Sequence, residues 1–212
     1  MHSGWAQLAK MDGPAIQLSP NYGPFAAASD RSEASLTAIA RLTAGDEGLW
    51  VVEDDSWPTP PGMREIKRAP CDQMIAEAVP AASDGLDYVL LSEDDAAQMF
   101  TLARATKPGP FAKHTHRLSQ FVGIKHDGRV VAMAGERMRV TGFAEVSGVC
   151  TDPAFRGHGY AAGLMSVVAN RILARGETPF LHTYSDNAGA IALYESLGFR
   201  KRATVILTAF SK

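Results

Sequence analysis

The chain has only two cysteines in 212 residues, Cys71 and Cys150. They are far apart and follow no pairing pattern. That excludes a disulfide framework, and two reduced thiols in a cytoplasmic protein are expected. Charge of one sign is also scarce: 21 Lys and Arg stand against 23 Asp and Glu, a formal net charge of −2. With no run of basic residues, this argues against nucleic acid or an anionic membrane as a partner. No unbroken apolar run is long enough to span a bilayer. The opening "MHSGWAQLAK" has no basic start followed by an apolar core, so it does not read as a secretion signal. Internal repeats are missing too. What remains, 46% hydrophobic and 21% charged, is ordinary globular composition, enough for one large core or two small ones.

The pattern of what is there is an alternation of short strands and helices. In the first part, "AIQL" reads as a strand, "SEASLTAIARLT" (32–43) as a helix capped by Ser32, and "GLWVVED" (48–54) as a strand stopped by a proline turn. "MREIKRA" alternates with a period of two and is expected to pair with that strand. "CDQMIAEA" fits either a short helix or a strand extension. A composition change at "PAASDG" (80–85) suggests a boundary, giving an N-terminal α/β half over 1–84 and a second domain over 85–212.

The second part is denser. Strand 87–92 precedes a helix over 93–106 with acidic residues in its first turn, and 120–138 reads as a hairpin around a His-Asp-Gly turn. A strand over 142–151, a helix over 160–176 closed by Gly176, the strand "TPFLHTYS", a helix over 187–198 capped by Asn187 and a last strand "TVILTAF" complete the chain. Such a mixture with hairpins predicts an α/β (α+β) fold: a mixed, partly antiparallel sheet flanked by helices.

The most specific stretch is "VCTDPAFRGHGYAAGLM" (149–165). Two bare glycines between a strand and a helix let a ligand approach the main chain and leave N–H groups free. With the helix dipole behind them they form a seat for an anion such as a pyrophosphate. Arg156 adds a fixed positive charge there, or braces the loop through a carboxylate or carbonyls. The bland reading is a tight turn with no ligand. The nucleotide P-loop is excluded, because no Lys and Ser/Thr follow the second glycine. The dinucleotide fingerprint is matched literally by "GHGYAA", with Glu177 at about the expected interval. Against it, "TDPAFR" separates strand from glycine, and too little chain follows for a doubly wound sheet.

"RGHGYA" also satisfies, through Arg156, Gly159 and Ala161, the Arg/Gln-x-x-Gly-x-Gly/Ala signature of the GNAT superfamily of acyl-CoA-dependent N-acyltransferases. "GFAEVSGVCTDPAFRG" resembles that superfamily's fourth strand and its turn, and "SDNAGAIALYESLGFRKR" resembles its closing asparagine, helix and Tyr-x-x-x-Gly-Phe ending. The resemblance covers residues 85–212 and looks nearest to the glycine N-acyltransferase-like subgroup, in which a degenerate half-domain of similar fold precedes the active one.

The resemblance implies a co-substrate, acetyl-CoA or another acyl-CoA, and a primary amine acceptor attacking directly in a ternary complex. Arg156, Gly157, His158, Gly159, Tyr160 and Ala161 would hold the pyrophosphate. The main chain of Val149, Cys150 and Thr151 would pair with the pantetheine arm, and one of its N–H groups would polarise the thioester. Asn187 would bind the arm further along, cap its helix, or do both. Glu145 would take the amine's proton directly or through water, with Glu136 on the neighbouring strand as the alternative. Tyr194, two helical turns from Asn187 on the same face, would protonate the departing thiolate, unless it is only a packed aromatic.

No metal is expected, because His114, His116, His126, His158 and His182 lack any recognised ligand spacing. His182 precedes Asn187 on a strand and is a weak candidate for the acceptor site. Cys150, beside the pantetheine, is read as a small apolar packer, with an oxidation site as the alternative. The acceptor is left open between a small amine, an amino acid and a protein N-terminus, and the assembly between monomer and homodimer. Two rival functions stand beside this one: a non-catalytic acyl-CoA-binding module and an NAD(P)-dependent oxidoreductase.

Overall fold

A computed structural model of the chain describes residues 4–43 and 48–212. Three short strands come first, β1 (Ala9–Asp12), β2 (Ala15–Leu18) and β3 (Ala26–Ala28), forming a small antiparallel sheet of their own. Helix α1 (Glu33–Leu42) starts where the Ser32 side chain accepts the backbone N–H of Ser35, the expected cap. Strands β4 (Leu49–Glu53) and β5 (Arg64–Ile75) follow, then the brief β6 (Val89–Leu90). Ser92 and Asp95 make a capping box ahead of α2 (Ala96–Thr106), which Lys107 ends in the left-handed conformation.

Strands β7 (Val122–His126) and β8 (Arg129–Val140) are joined by Asp127-Gly128, with φ of 50° and 75°. Both being positive, the two-residue turn matches the twist of the strands it joins. Then come β9 (Phe143–Thr151), α3 (Tyr160–Ala174), β10 (Thr178–Tyr184), α4 (Ala188–Ser196) and β11 (Arg200–Ser211).

Eight strands form one sheet in the order β4-β11-β5-β10-β9-β8-β7-β6. Every neighbouring pair is antiparallel except β9 and β10, which run parallel. Helix α3 buries Leu164, Met165, Val168, Ala169 and Ile172 against the sheet, with Val149 at the margin of that core. Helix α2 buries Met99, Leu102 and Ala103 in a separate core that includes Cys150. Successive strand residues point to opposite faces, so α3 and α2 cover the two sides of β9. A further core under α1 joins Ile39 and Ala38 to Leu49, Val51 and Phe210 at the β4–β11 end of the main sheet.

Two sequence expectations are corrected. The strand read at "MREIKRA" does not pair with β4: β11 lies between them, and β5 pairs with β11 and β10 instead. β5 also runs on to Ile75, so of the two readings open for "CDQMIAEA" the strand extension holds for most of it. Two strands of 12 residues satisfy a longer ladder together than either could with the five-residue β4. The strand expected over 87–92 shrinks to Val89–Leu90, because Ser92 is given over to capping. The stretch over 80–85 connects β5 to β6 without helix or strand, and the residues before it supply β4 and β5 to the same sheet as the residues after it.

Candidate active site

β9 and β10 are paired only over Phe143–Glu145 and Thr178–Phe180, after which they part. Beyond that point β9 stays with β8 and β10 with β5, so the edges of β9 and β10 that face each other have no strand between them. The pairing of β9 with β8 slips between Cys150 and Ser147. Gly148 sits in the slip at φ 65°, where a Cβ would meet Phe121 Cε1 at 2.8 Å. A bulge here bends the strand and helps to open the gap.

A cavity of about 770 Å³ reaches into this gap. It is lined by Glu145, Val149, His182, Asn187 and Tyr194, and on its other side by Trp5, Phe25 and Trp50. Glu145 is 1% exposed. Arg137 donates to both of its carboxylate oxygens, at 2.9 and 2.7 Å, His182 Nδ1 donates at 2.8 Å and the Met138 N–H at 3.3 Å. Burial by itself would raise the Glu145 carboxyl, but the Arg137 charge and the His182 and Arg137 hydrogen bonds outweigh it and hold the group well below the usual carboxylate range. The other ring nitrogen of His182 lies 3.1 Å from the Gln73 amide nitrogen. Gln73 Oε1 accepts from Arg202, so the amide presents its N–H to His182 Nε2. With Nδ1 turned to the Glu145 carboxylate, this leaves Nε2 as the accepting nitrogen of the ring.

Glu136, the alternative base, lies elsewhere: Arg175 donates to both of its oxygens at 3.0 and 2.7 Å, and the residue is not on the cavity wall. Tyr194 lines the cavity with its ring edge to Phe199, centroids 6.5 Å apart. Burial raises its hydroxyl, which keeps its proton throughout the neutral range. Asn187 caps α4 by accepting the Ala190 N–H at 3.2 Å.

The glycine loop lies beyond the end of β9. Asp152 accepts the Ala154 N–H at 2.9 Å and pairs with Arg129 at 2.7 Å, which sets the turn over Pro153–Phe155. Gly157 and Gly159 have φ of 84° and 75°, and a Cβ on either would meet nothing within 4 Å. They are needed for the backbone conformation, and the space beside them is open. No side chain caps the first turn of α3 among the described residues, so its leading N–H groups are free for an anion. Arg156 makes no ion pair among the described residues, so it does not brace the loop. His158 does: its ring lies against the Phe155 and Arg156 carbonyls at 3.2 and 3.1 Å.

Cys150, Thr151 and the residues from Arg156 to Ala161 do not line the cavity itself. They extend from its mouth along β9 to the start of α3. Cys150 packs in the α2 core, where burial pushes its thiol up to about 11. Thr151 Oγ1 is buried with no partner among the described residues. An unpaired β9 edge, a free helix start and open glycines fit the extended arm and diphosphate of a CoA thioester. Among the described residues, no group of three or more His, Cys, Asp or Glu could hold a metal ion.

Sequence reasoning ranked His182 low and did not single out Arg137 or Gln73. The alternation in "AGERMR" and "FLHTY" shows which residues share a face, but not that three strands bring those faces together.

The FR47-like protein family model matches residues 121–207. A protein described as an acetyltransferase from the GNAT family of Novosphingobium aromaticivorans is 46% identical, with TM-score 0.89, covering 97% of this chain and 92% of that one. N-alpha-acetyltransferase RimI of Mycobacterium tuberculosis is 33% identical over 113 residues, 50% of this chain and 68% of its own length. A ribosomal protein bS18-alanine N-acetyltransferase of Haemophilus ducreyi is 28% identical over 115 residues, 51% of this chain and 79% of its own. The chain belongs to the GNAT family of acetyltransferases.

Proposed function

We propose that the chain transfers an acetyl group from acetyl-CoA to a primary amine by direct attack in a ternary complex. The observation that carries this is one cavity in which Glu145, His182 and Tyr194 meet at the gap between β9 and β10. The acyl group is supplied by the thioester. Arg156 and the N–H groups from Gly157 to Ala161 hold the pyrophosphate, and the β9 main chain at Val149, Cys150 and Thr151 takes the pantetheine arm like an added strand. Asn187, already engaged as a cap, lies along the same wall.

The amine nitrogen bonds to the carbonyl carbon as the carbon–sulfur bond breaks. A carboxylate as strongly stabilised as Glu145 is a poor proton acceptor, so it acts through His182: the amine displaces the Gln73 N–H from Nε2 and passes its proton to the lone pair so freed, while Glu145 orients the ring and supports its positive form. Tyr194 gives its proton to the leaving sulfur, and solvent exchange restores both groups. Acetyl is the group assigned, and the acceptor class includes amines, amino acids and protein N-termini. The kinship with glycine N-acyltransferase-like proteins rests on the sequence motifs alone.

The test is thiol release from acetyl-CoA across a panel of amines and amino acids, with wild type and His182→Gln. Turnover by the wild type, reduced about 100-fold in the variant, is the expected result. A wild type that binds acetyl-CoA yet releases no thiol with any amine would instead be a non-catalytic binding module.

A further inference from the structure

The cavity does not end at His182. It continues beneath the N-terminal segment, where Trp5, Phe25, Trp50, Ile16, Leu18 and Val52 form its wall. This wall is pinned in place. Trp5 Nε1 donates to the Arg137 carbonyl at 2.6 Å, the Gly4 N–H to the Arg139 carbonyl at 2.9 Å, and the Trp50 N–H to the Pro24 carbonyl at 2.6 Å. The Phe25 ring stands edge-on to Trp50 and lies 4.7 Å from the Arg137 guanidinium. An apolar wall with polar groups gathered at one end, and a volume of about 770 Å³, is the form of a small-ligand site.

The charges on the wall favour a cation. Arg137 is neutralised by its two bonds to Glu145 and covered by Phe25, so it offers nothing to a carboxylate. Glu53, half-buried on the wall, makes no ion pair among the described residues. Burial, its largest influence, raises its carboxyl, with Asp54 adding to the rise and Arg31 opposing it. Among the described residues, the other Lys or Arg on the wall is the exposed Lys107. All six wall residues also lie outside the 121–207 stretch that the family model matches.

We infer that the acceptor is a small primary amine with an apolar body of aryl size and no carboxylate, seated between Trp5, Phe25 and Trp50 with its nitrogen at His182. This rests on the transferase reading and narrows it. A peptide N-terminus is the alternative occupant.

The experiment uses the full chain and two readouts. In the first, phenethylamine is titrated without coenzyme and tryptophan fluorescence is followed, Trp5 and Trp50 being reporters on the wall. In the second, kcat/KM is compared between phenethylamine and an alanine-initiated hexapeptide. We expect saturable quenching, a preference of at least about tenfold for phenethylamine, and a KM for it raised about tenfold by Trp50→Leu and by Phe25→Ala. A hexapeptide that is the better substrate, or wall variants that leave KM unchanged, overturns the inference. Quenching without thiol release from any amine contradicts the transferase reading while leaving the amine pocket standing, so the two failures are distinguishable.

Discussion

Glu145 is a buried charge, 1% exposed, and it survives there because Arg137, His182 and the Met138 N–H surround it. Glu145→Ala would leave the Arg137 guanidinium buried and uncompensated, at a cost of about 3–5 kcal/mol, measurable by chemical denaturation. The pH dependence has a definite sign. A carboxyl whose folded-state value is depressed stabilises the fold above its unfolded value, here 4.5, and loses that contribution as pH falls below it toward the folded value. Wild type should therefore lose stability below about pH 4.5 more steeply than Glu145→Gln. Tyr194 carries the opposite shift, upward through burial, so its hydroxyl remains a proton donor to high pH. Tyr194→Phe should lower kcat about 100-fold with little change in the KM for acetyl-CoA, as read by steady-state kinetics. An unchanged kcat would reduce Tyr194 to a packed aromatic.

At the scale of elements, the bulge in β9 is the feature on which the gap depends. Gly148→Ala places a Cβ 2.8 Å from Phe121 at a φ of 65°. It should cost about 1–3 kcal/mol in a denaturation series, because the tightly packed Phe121 has no room to give. The loop before α3 was legible in the sequence because its chemistry is local: glycines, an arginine and a helix start follow one another along the chain. The hairpin of β7 and β8 was legible for the same reason, through Asp127-Gly128. The cluster around Glu145 was not. Arg137, Glu145, His182 and Gln73 come from β8, β9, β10 and β5, and strand order is a long-range property that periodicity does not reveal.

At the scale of the whole molecule, the N-terminal region is built into the centre. β5 lies between β10 and β11, and the segment before β4 walls the cavity. Sequence reading found the strand but not its place, since its ladder partners lie more than a hundred residues away. A fragment spanning 85–212 would leave β10 and β11 with bare edges, and should show no cooperative thermal transition by circular dichroism. A sharp transition in that fragment would mean that the second part folds alone.

The central claim is that the free amides before α3, with Arg156, receive the diphosphate of a CoA thioester. Calorimetric titration of the full chain with acetyl-CoA tests it most directly, with Arg156→Glu and with NAD as the controls. The account predicts saturable binding of acetyl-CoA, weakened at least about tenfold by Arg156→Glu, and no comparable binding of NAD. Absence of binding, or an affinity indifferent to the charge at Arg156, would contradict it.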